Sequence, residues 1–263
     1  MKTYNYKISP SLLDKFQKVC DAAETFEDFA NIDAEGNYRR SFDEIEQAAE
    51  QDLLDSINKV PHAPIEAADK GTAFNELVDL LNGRPVTQVE KALFFPSSGI
   101  VPAYYETHIN GFCFAFDAAL VQSTAKRFEG ASAQFLCECG LDTDFGSVLL
   151  YGYPDEILFD TVYDIKTTAR YEYGKFAKSW QKHVYPWALV KSGRVASIDK
   201  FEFSVFRWIE KAGAPLTADT FAEAYPFDIT ESETRLRSVC EAFIPWLENH
   251  RELITNRKIF GEE

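Results

Sequence analysis

Nowhere in this chain of 263 residues is there a run of about 18 apolar residues, so nothing in it reads as a membrane span. The opening Met1-Lys-Thr-Tyr-Asn-Tyr-Lys7 lacks the apolar segment of a signal peptide, which favours the cytoplasm. Cysteines are few, odd in number and scattered: Cys20, Cys113, Cys137, Cys139 and Cys240. That argues against a disulfide framework. Cys137-Glu-Cys139 has the look of half a metal site, but no second pair lies near it to complete four ligands. It reads as ordinary reduced cysteine. Positive charge is also scarce: the net charge of −15 argues against a general nucleic-acid binder. There is no internal repeat and no low-complexity segment.

What is present suffices for a core. The chain is 46% hydrophobic and 14% aromatic, and its length fits one large domain or a domain with an added lobe. Charge is unevenly spread. From Asp21 to Asp55 twelve acids face only Arg39 and Arg40, a net of −10, read as a solvated helical surface. From Lys166 to Arg194 seven basic residues face Glu172 alone, a net of +6.

Residues 1–90 read as a mainly helical lobe. Ser9-Pro10-Ser11 starts one helix, Ser41 to Ile57 forms a second, and a third runs from about Gly71 to a stop at Asn82-Gly83. Residues 91–210 read as the core. Tyr104–Ile109, Phe112–Ala118, Ala133–Cys137 and Val148–Tyr151 have the short aromatic and β-branched pattern of consecutive antiparallel strands. Lys175–Lys191 reads as a helix with a kink at Pro186, and Phe201–Arg207 alternates as a strand. Residues 211–263 read as C-terminal helices, the last from about Glu231 to Ile254. Helices, then a sheet, then helix, strand and helix argue for one domain of α+β or mixed α/β class, a central mixed sheet flanked by helices.

The chemistry concentrates in Tyr151–Thr168, which reads as a β-hairpin turning near Phe159-Asp160. A loop symmetric about those two residues puts Asp155 opposite Asp164, and Lys166 falls on the same face as Asp164. Opposed like charges are destabilising. A cation relieves them, and Mg²⁺ is commonly held by one or two carboxylates plus a substrate phosphate. The carbonyl of Ile165 is a further candidate ligand, and Lys166 can stabilise charge on a phosphate. The plain alternative is a surface hairpin whose acids pair with Lys166 and solvent.

Pro154-Asp155 followed by Asp164-Ile165-Lys166 resembles the motif of the PD-(D/E)xK nucleases. Gln181-Lys-His-Val-Tyr185, Gly152 and Thr167-Thr168 are similar to the RecB-like exonuclease branch. Gly71–Glu76 resembles its G-x-x-x-H helix, and Ile8–Phe16 the helix that opens many such domains. The resemblance covers about residues 8–210. It implies a restriction-endonuclease-like core with N-terminal helical additions, and a metal-dependent DNA exonuclease of phage or prophage type in recombination or repair. It assigns Asp155 and Asp164 to Mg²⁺ or Mn²⁺, Lys166 to catalysis, and Gln181 and Tyr185 to the wall of the site. Residues four apart on a helix do share a face. Asn75 stands where the family has its histidine, with Glu76 beside it as the alternative ligand. Some relatives hold an iron–sulfur cluster on four cysteines; Cys20 and Cys240 stand alone in those regions, so no cluster is expected. Arg170, Lys175, Lys178 and Lys182 are candidate DNA-backbone contacts, and a recombination protein is a candidate partner. Trp180 and Trp187 read as core, and His183 as solvent-facing. The rival reading is a nuclease-fold module with weakened catalysis that binds DNA or protein, suggested by Asn75 and the acidic lobe.

Overall fold

The computed structural model describes residues 4–26 and 32–262; residues 27–31 of the acidic stretch lie outside them. In chain order the elements are β1 (Tyr6–Ile8), α1 (Pro10–Cys20), α2 (Ala22–Phe26), α3 (Phe42–Ile57), α4 (Glu66–Leu81), β2 (Lys91–Phe95), β3 (Tyr104–Ile109) and β4 (Phe112–Asp117). There follow α5 (Ala118–Arg127), β5 (Ser132–Ala133), β6 (Cys137–Thr143), β7 (Gly146–Gly152), β8 (Glu156–Leu158) and β9 (Thr161–Thr168). The chain ends with α6 (Gln181–Lys191), β10 (Lys200–Ile209), β11 (Thr217–Pro226), α7 (Ile229–Asn249) and a 3-10 turn at Arg257–Phe260.

The class expected from the sequence, mixed strands flanked by helices, is the one observed. The strands are divided among three sheets, ordered β1-β7-β6, β11-β10-β9-β8-β5 and β2-β3-β4. The five-stranded sheet is mixed, because β10 runs parallel to β9 and antiparallel to β11. Its two faces bury different cores. Val162, Phe201, Phe203 and Val205 pack with α1, α3, α6 and α7 residues such as Phe16, Leu53, Trp187 and Phe243. Ile165 and Phe206 pack on the other face with Phe74 and Leu77 of α4, Phe114 and Phe116 of β4, and Val121 of α5. Side chains that alternate along a strand go to opposite faces, and the hydrophobic pattern assigns each face its helices.

Several expectations are corrected. The antiparallel strands are not consecutive: α5 separates β4 from β5, its N-terminus capped by the Asp117 carboxylate, which accepts the Leu120 N–H at 2.9 Å. Asp117 thus both ends β4 and caps α5. Residues 211–263 are not all helical, since β11 pairs with β10 along its full ten residues. Its mostly exposed pattern, with Glu223 among the buried side chains, hides the strand from a hydrophobicity reading. The helix expected over Lys175–Lys191 begins only at Gln181, with Pro186 inside it. The helix expected from Gly71 starts at Glu66. The second helix is as read: the Ser41 hydroxyl accepts the Glu44 N–H, and the Glu44 carboxylate accepts the Ser41 N–H. That capping box fixes the start of α3.

The hairpin that carries the candidate site is anchored by one arginine. Arg84, just past α4, donates from Nη1 to Glu156 at 2.6 Å and to Asp79 at 2.7 Å. Its Nη2 donates to the carbonyls of Ala131 at 2.9 Å and Phe128 at 3.2 Å. One guanidinium thus joins the end of α4, the loop after α5 and the first residue of β8. Glu156 is 1% exposed, and burial pushes its carboxyl up to about 7 against the pull of Arg84. Removing one partner of a buried pair costs about 3–5 kcal/mol, so Arg84→Ala should lose about that much at pH 8 in urea denaturation. A carboxyl raised by burial is penalised only as pH rises through its folded value. The loss should therefore shrink at pH 5, where the unpaired Glu156 is protonated; an equal loss at both pH values would refute the role given to Glu156.

Candidate active site

The β8–β9 hairpin turns on Phe159-Asp160, with Phe159 in the left-handed region at φ 55°. The register Leu158↔Thr161, Ile157↔Val162 and Glu156↔Tyr163, carried one residue further, sets Asp155 against Asp164 as the sequence suggested. Asp164 and Lys166 share the pleat of Val162, whose core contains α6.

Asp164 is 3% exposed. Its Oδ1 accepts the Gln181 Nε2–H at 2.8 Å, and its Oδ2 lies 2.6 Å from Lys166 Nζ without a well-directed hydrogen bond. Lys166 Nζ donates to Gln181 Oε1 at 2.7 Å. The Gln181 amide therefore spans the ion pair, oxygen to the lysine and nitrogen to the aspartate. Its Nε2 also approaches the Tyr185 hydroxyl at 3.3 Å, the one-turn contact expected on α6. Burial works against charge on Lys166, but Asp164 outweighs it and holds the ammonium protonated. Burial, then the Asp164 charge, raise the Tyr185 hydroxyl, keeping it a neutral group.

Asp155 is half-buried. Its Oδ2 accepts the Ile165 N–H at 2.7 Å and its Oδ1 the exposed Gln134 side-chain N–H at 3.0 Å. Surrounding protein and the charge of Asp164 push its carboxyl well above the usual range; the Ile165 N–H, Lys166 and Gln134 offset only part of this. The hairpin thus holds one carboxylate more than its own cations satisfy.

Two glycines set the packing. A Cβ on Gly152 would lie 2.4 Å from Tyr185 Cε1, so only glycine lets α6 sit this close to the end of β7. A Cβ on Gly71 would lie 2.6 Å from Thr167 Oγ1, which seats α4 on β9. The N-terminus of α6 is held from a distance by Asp14 of α1. Its Oδ1 accepts the Trp180 N–H at 2.7 Å and its Oδ2 the Ser179 hydroxyl at 3.1 Å. A cavity of about 760 Å³ opens from Lys166 and Gln181 between Asp14, Asp21, Lys175 and Lys178.

The structure brings together Asp155, Asp164, Ile165 through its backbone, Lys166, Gln181 and Tyr185. Other expected residues fall elsewhere. Glu76 is corrected: its two oxygens accept the N–H groups of Thr87, Gln88 and Val89 and the Thr87 hydroxyl, at 2.7–3.0 Å. Although burial acts against charge, these donors hold its carboxyl below its ordinary range. Glu76 ties down a loop. Asn75 lies one turn of α4 beyond Gly71, its Oδ1 buried without a hydrogen-bond partner. Lys182 is also corrected: it turns away from the cavity, donates to the Ala177 carbonyl and lies 4.4 Å from the Tyr225 ring centre. Lys178 does line the cavity but pairs with Asp21 at 2.9 Å and Glu24 at 3.0 Å, so the +6 window is partly neutralised by Asp21, just past α1, and Glu24 of α2. Lys175 donates to Thr168 Oγ1 at 2.7 Å and the Arg170 carbonyl at 2.8 Å; it and Arg170 remain exposed beside the site. His183 faces Ser232 of α7 at 3.0 Å rather than solvent, and burial pushes its imidazole down to about 4. Trp187 is core, as expected, at 1% exposed.

No protein-family model matches the sequence, and no curated protein matches it. Among solved structures, that of SSO0001 aligns over 92% of this chain and 78% of its own at 13% identity, with a TM-score of 0.36. That likeness is too slight to carry a statement about family or chemistry.

The excess carboxylate yields a stability test. With metal removed by EDTA, Asp155→Asn should raise Tm at pH 8 by about 2–4 °C, the shift for ~1 kcal/mol in a domain near this size. The amide oxygen can still accept the Ile165 N–H, and Gln134 can flip to accept from the amide nitrogen. The gain should vanish near pH 4, where Asp155 is protonated in the wild type. A lower Tm for the variant at pH 8 would show that Asp155 is not frustrated.

Proposed function

We propose that the chain is a divalent-metal-dependent DNA nuclease of the PD-(D/E)xK type in its RecB-like branch, an exonuclease of phage or prophage kind serving recombination or repair. The observation that supports this most is the opposed pair Asp155 and Asp164 with Lys166 on the Asp164 face, where two carboxylates crowd without enough positive charge. The donors fit Mg²⁺ or Mn²⁺: carboxylate oxygens of Asp155 and Asp164 and the Ile165 backbone. When bound, such an ion polarises a phosphoryl oxygen and lowers the pKa of water. Lys166, kept protonated, offers its charge to the phosphate or orients the attacking water. Gln181 fixes the positions of both Lys166 and Asp164, and Tyr185 packs behind it. Arg170 and Lys175 are the cations left to follow a DNA backbone beside the site.

A second reading has its own observation. Asp164 is engaged by Lys166 and Gln181, and Lys178 and Lys182 are committed to protein partners, which suits a module of weakened catalysis that binds DNA or a recombination protein. No helix among the described residues is long and apolar enough to cross a membrane.

Digestion of linear, circular and single-stranded DNA with Mg²⁺ or Mn²⁺ separates the two readings. Wild type should cleave, and Lys166→Ala and Asp164→Asn should each lose at least about 10²-fold, the scale of one transition-state contact. Equal activity in wild type and Lys166→Ala would remove the enzyme reading. Calorimetric Mn²⁺ binding abolished by Asp164→Asn without cleavage in the wild type would favour the binding module.

A further inference from the structure

A second group of ligand-type side chains lies on the β3–β4 hairpin, away from the proposed nuclease site. Asn110-Gly111 closes this hairpin with both residues left-handed, at φ 49° and 82°. That is the type I′ turn, whose twist matches paired strands. The turn makes Ile109↔Phe112 the closing pair and His108↔Cys113 the next. The latter is a non-hydrogen-bonded pair, where facing Cα atoms are only about 4.5 Å apart. Glu106, two residues before His108, projects from the same face. Ile109, Phe114 and Phe116 take the other face into the core, so the three polar side chains share the outer surface.

Their donor atoms converge. His108 Nε2 is 2.9 Å from Glu106 Oε1 and 3.9 Å from Cys113 Sγ, and one ligand atom from each lies within 4.8 Å of the others. We propose that Glu106, His108 and Cys113 form a binding site for a thiophilic transition-metal ion, Zn²⁺ foremost, with the fourth coordination position open to water. Tetrahedral zinc with ordinary bond lengths needs about 3.4 Å between nitrogen and oxygen and about 3.6 Å between nitrogen and sulfur. The nitrogen–oxygen distance must open by about half an ångström and the nitrogen–sulfur distance close by about 0.3 Å, within side-chain adjustment alone. A thiolate, an imidazole and a carboxylate select zinc or its neighbours over Mg²⁺. This set is therefore chemically distinct from the all-oxygen pair Asp155 and Asp164. Cys113 is exposed, and the Glu106 and His108 side chains are 27% and 36% exposed, so an ion can enter without unfolding. Lys91 of β2 stands across from His108 on the same face. Partial burial and then Glu106 raise the Cys113 thiol. Binding therefore expels its proton to solvent as the thiolate–metal bond forms, and affinity rises with pH.

Titration of the full chain with Co²⁺ tests this. One equivalent should produce a thiolate-to-cobalt charge-transfer band in the near ultraviolet and tetrahedral bands in the visible, all bleached by one equivalent of Zn²⁺. Cys113→Ser should remove the charge-transfer band, and His108→Ala and Glu106→Gln should each weaken Co²⁺ binding at least about tenfold. Asp164→Asn should leave the band intact, so failure here and failure of the nuclease reading are separable. The three ligands are surface side chains, and circular dichroism of each metal-free variant should match the wild type. Absence of the band in the folded wild type, or its survival in Cys113→Ser, would overturn the site.

Discussion

The repulsion between Asp155 and Asp164 is the contact on which the surrounding structure turns. A hairpin with a two-residue loop places them opposite each other, and two residues along the strand the pleat sends Lys166 to the same side. Neither carboxylate is free to turn away: Asp164 is buried, and Asp155, half-buried, is tied to the Ile165 N–H. Residues later in the chain answer that charge. Gln181 bridges the ion pair, Tyr185 fills the space behind it, and Gly152 is bare so that the ring can reach its place. Such local frustration is expected where function competes with stability.

The opposite arrangement occurs one residue away. Glu156 points to the other side of the strand from Asp155, and there Arg84 meets it together with Asp79 and two carbonyls. Within two consecutive residues the hairpin carries one acid crowded by a second carboxylate and one held through its Oε1 by an arginine. The second gives the rigidity that lets the first persist. A carboxylate crowded by another would otherwise relax by moving the strand, and the arginine clamp removes that freedom.

Much of this was legible because it depends on short-range geometry. The Phe159-Asp160 turn fixes the register by parity alone, and the four-residue spacing of Gln181 and Tyr185 fixes their common face. The apolar spacing from Ser41 to Ile57 marked α3. What escaped depends on long-range pairing. Strand β11 is mostly exposed and takes its order from β10, so its own residues carry little apolar signal. Asp14 looks like any helical surface acid until α6 is laid beside it. The basic window counted seven cations, but charge counting ignores which acids fold against them; Lys178 meets Asp21 and Glu24, and Lys182 turns to Tyr225. Glu76 was read by its neighbourhood in a motif, whereas its oxygens belong to the loop at Thr87–Val89. The metal-ligand cluster of Glu106, His108 and Cys113 was missed because cysteines were compared only with one another.

The attachment of the first residues to the middle of the chain governs how the protein can be born. Strand β1 has its partner in β7, with Tyr6 against Val148, and Asp14 has its partners at Ser179 and Trp180. At a synthesis rate of about 5–20 residues per second, β1 waits about 7–28 s for β7 to be made. Asp14 waits longer still. Late in that longer interval the ribosome-bound chain already contains the Asp155–Lys166 hairpin before α6 has been placed over it. The cover over the Asp155–Lys166 hairpin is thereby deferred until α1 and the Ser179–Gln181 segment, in the last third of the polypeptide, have met, so a prematurely terminated product ending before residue 179 would lack the Gln181 and Tyr185 that back the hairpin.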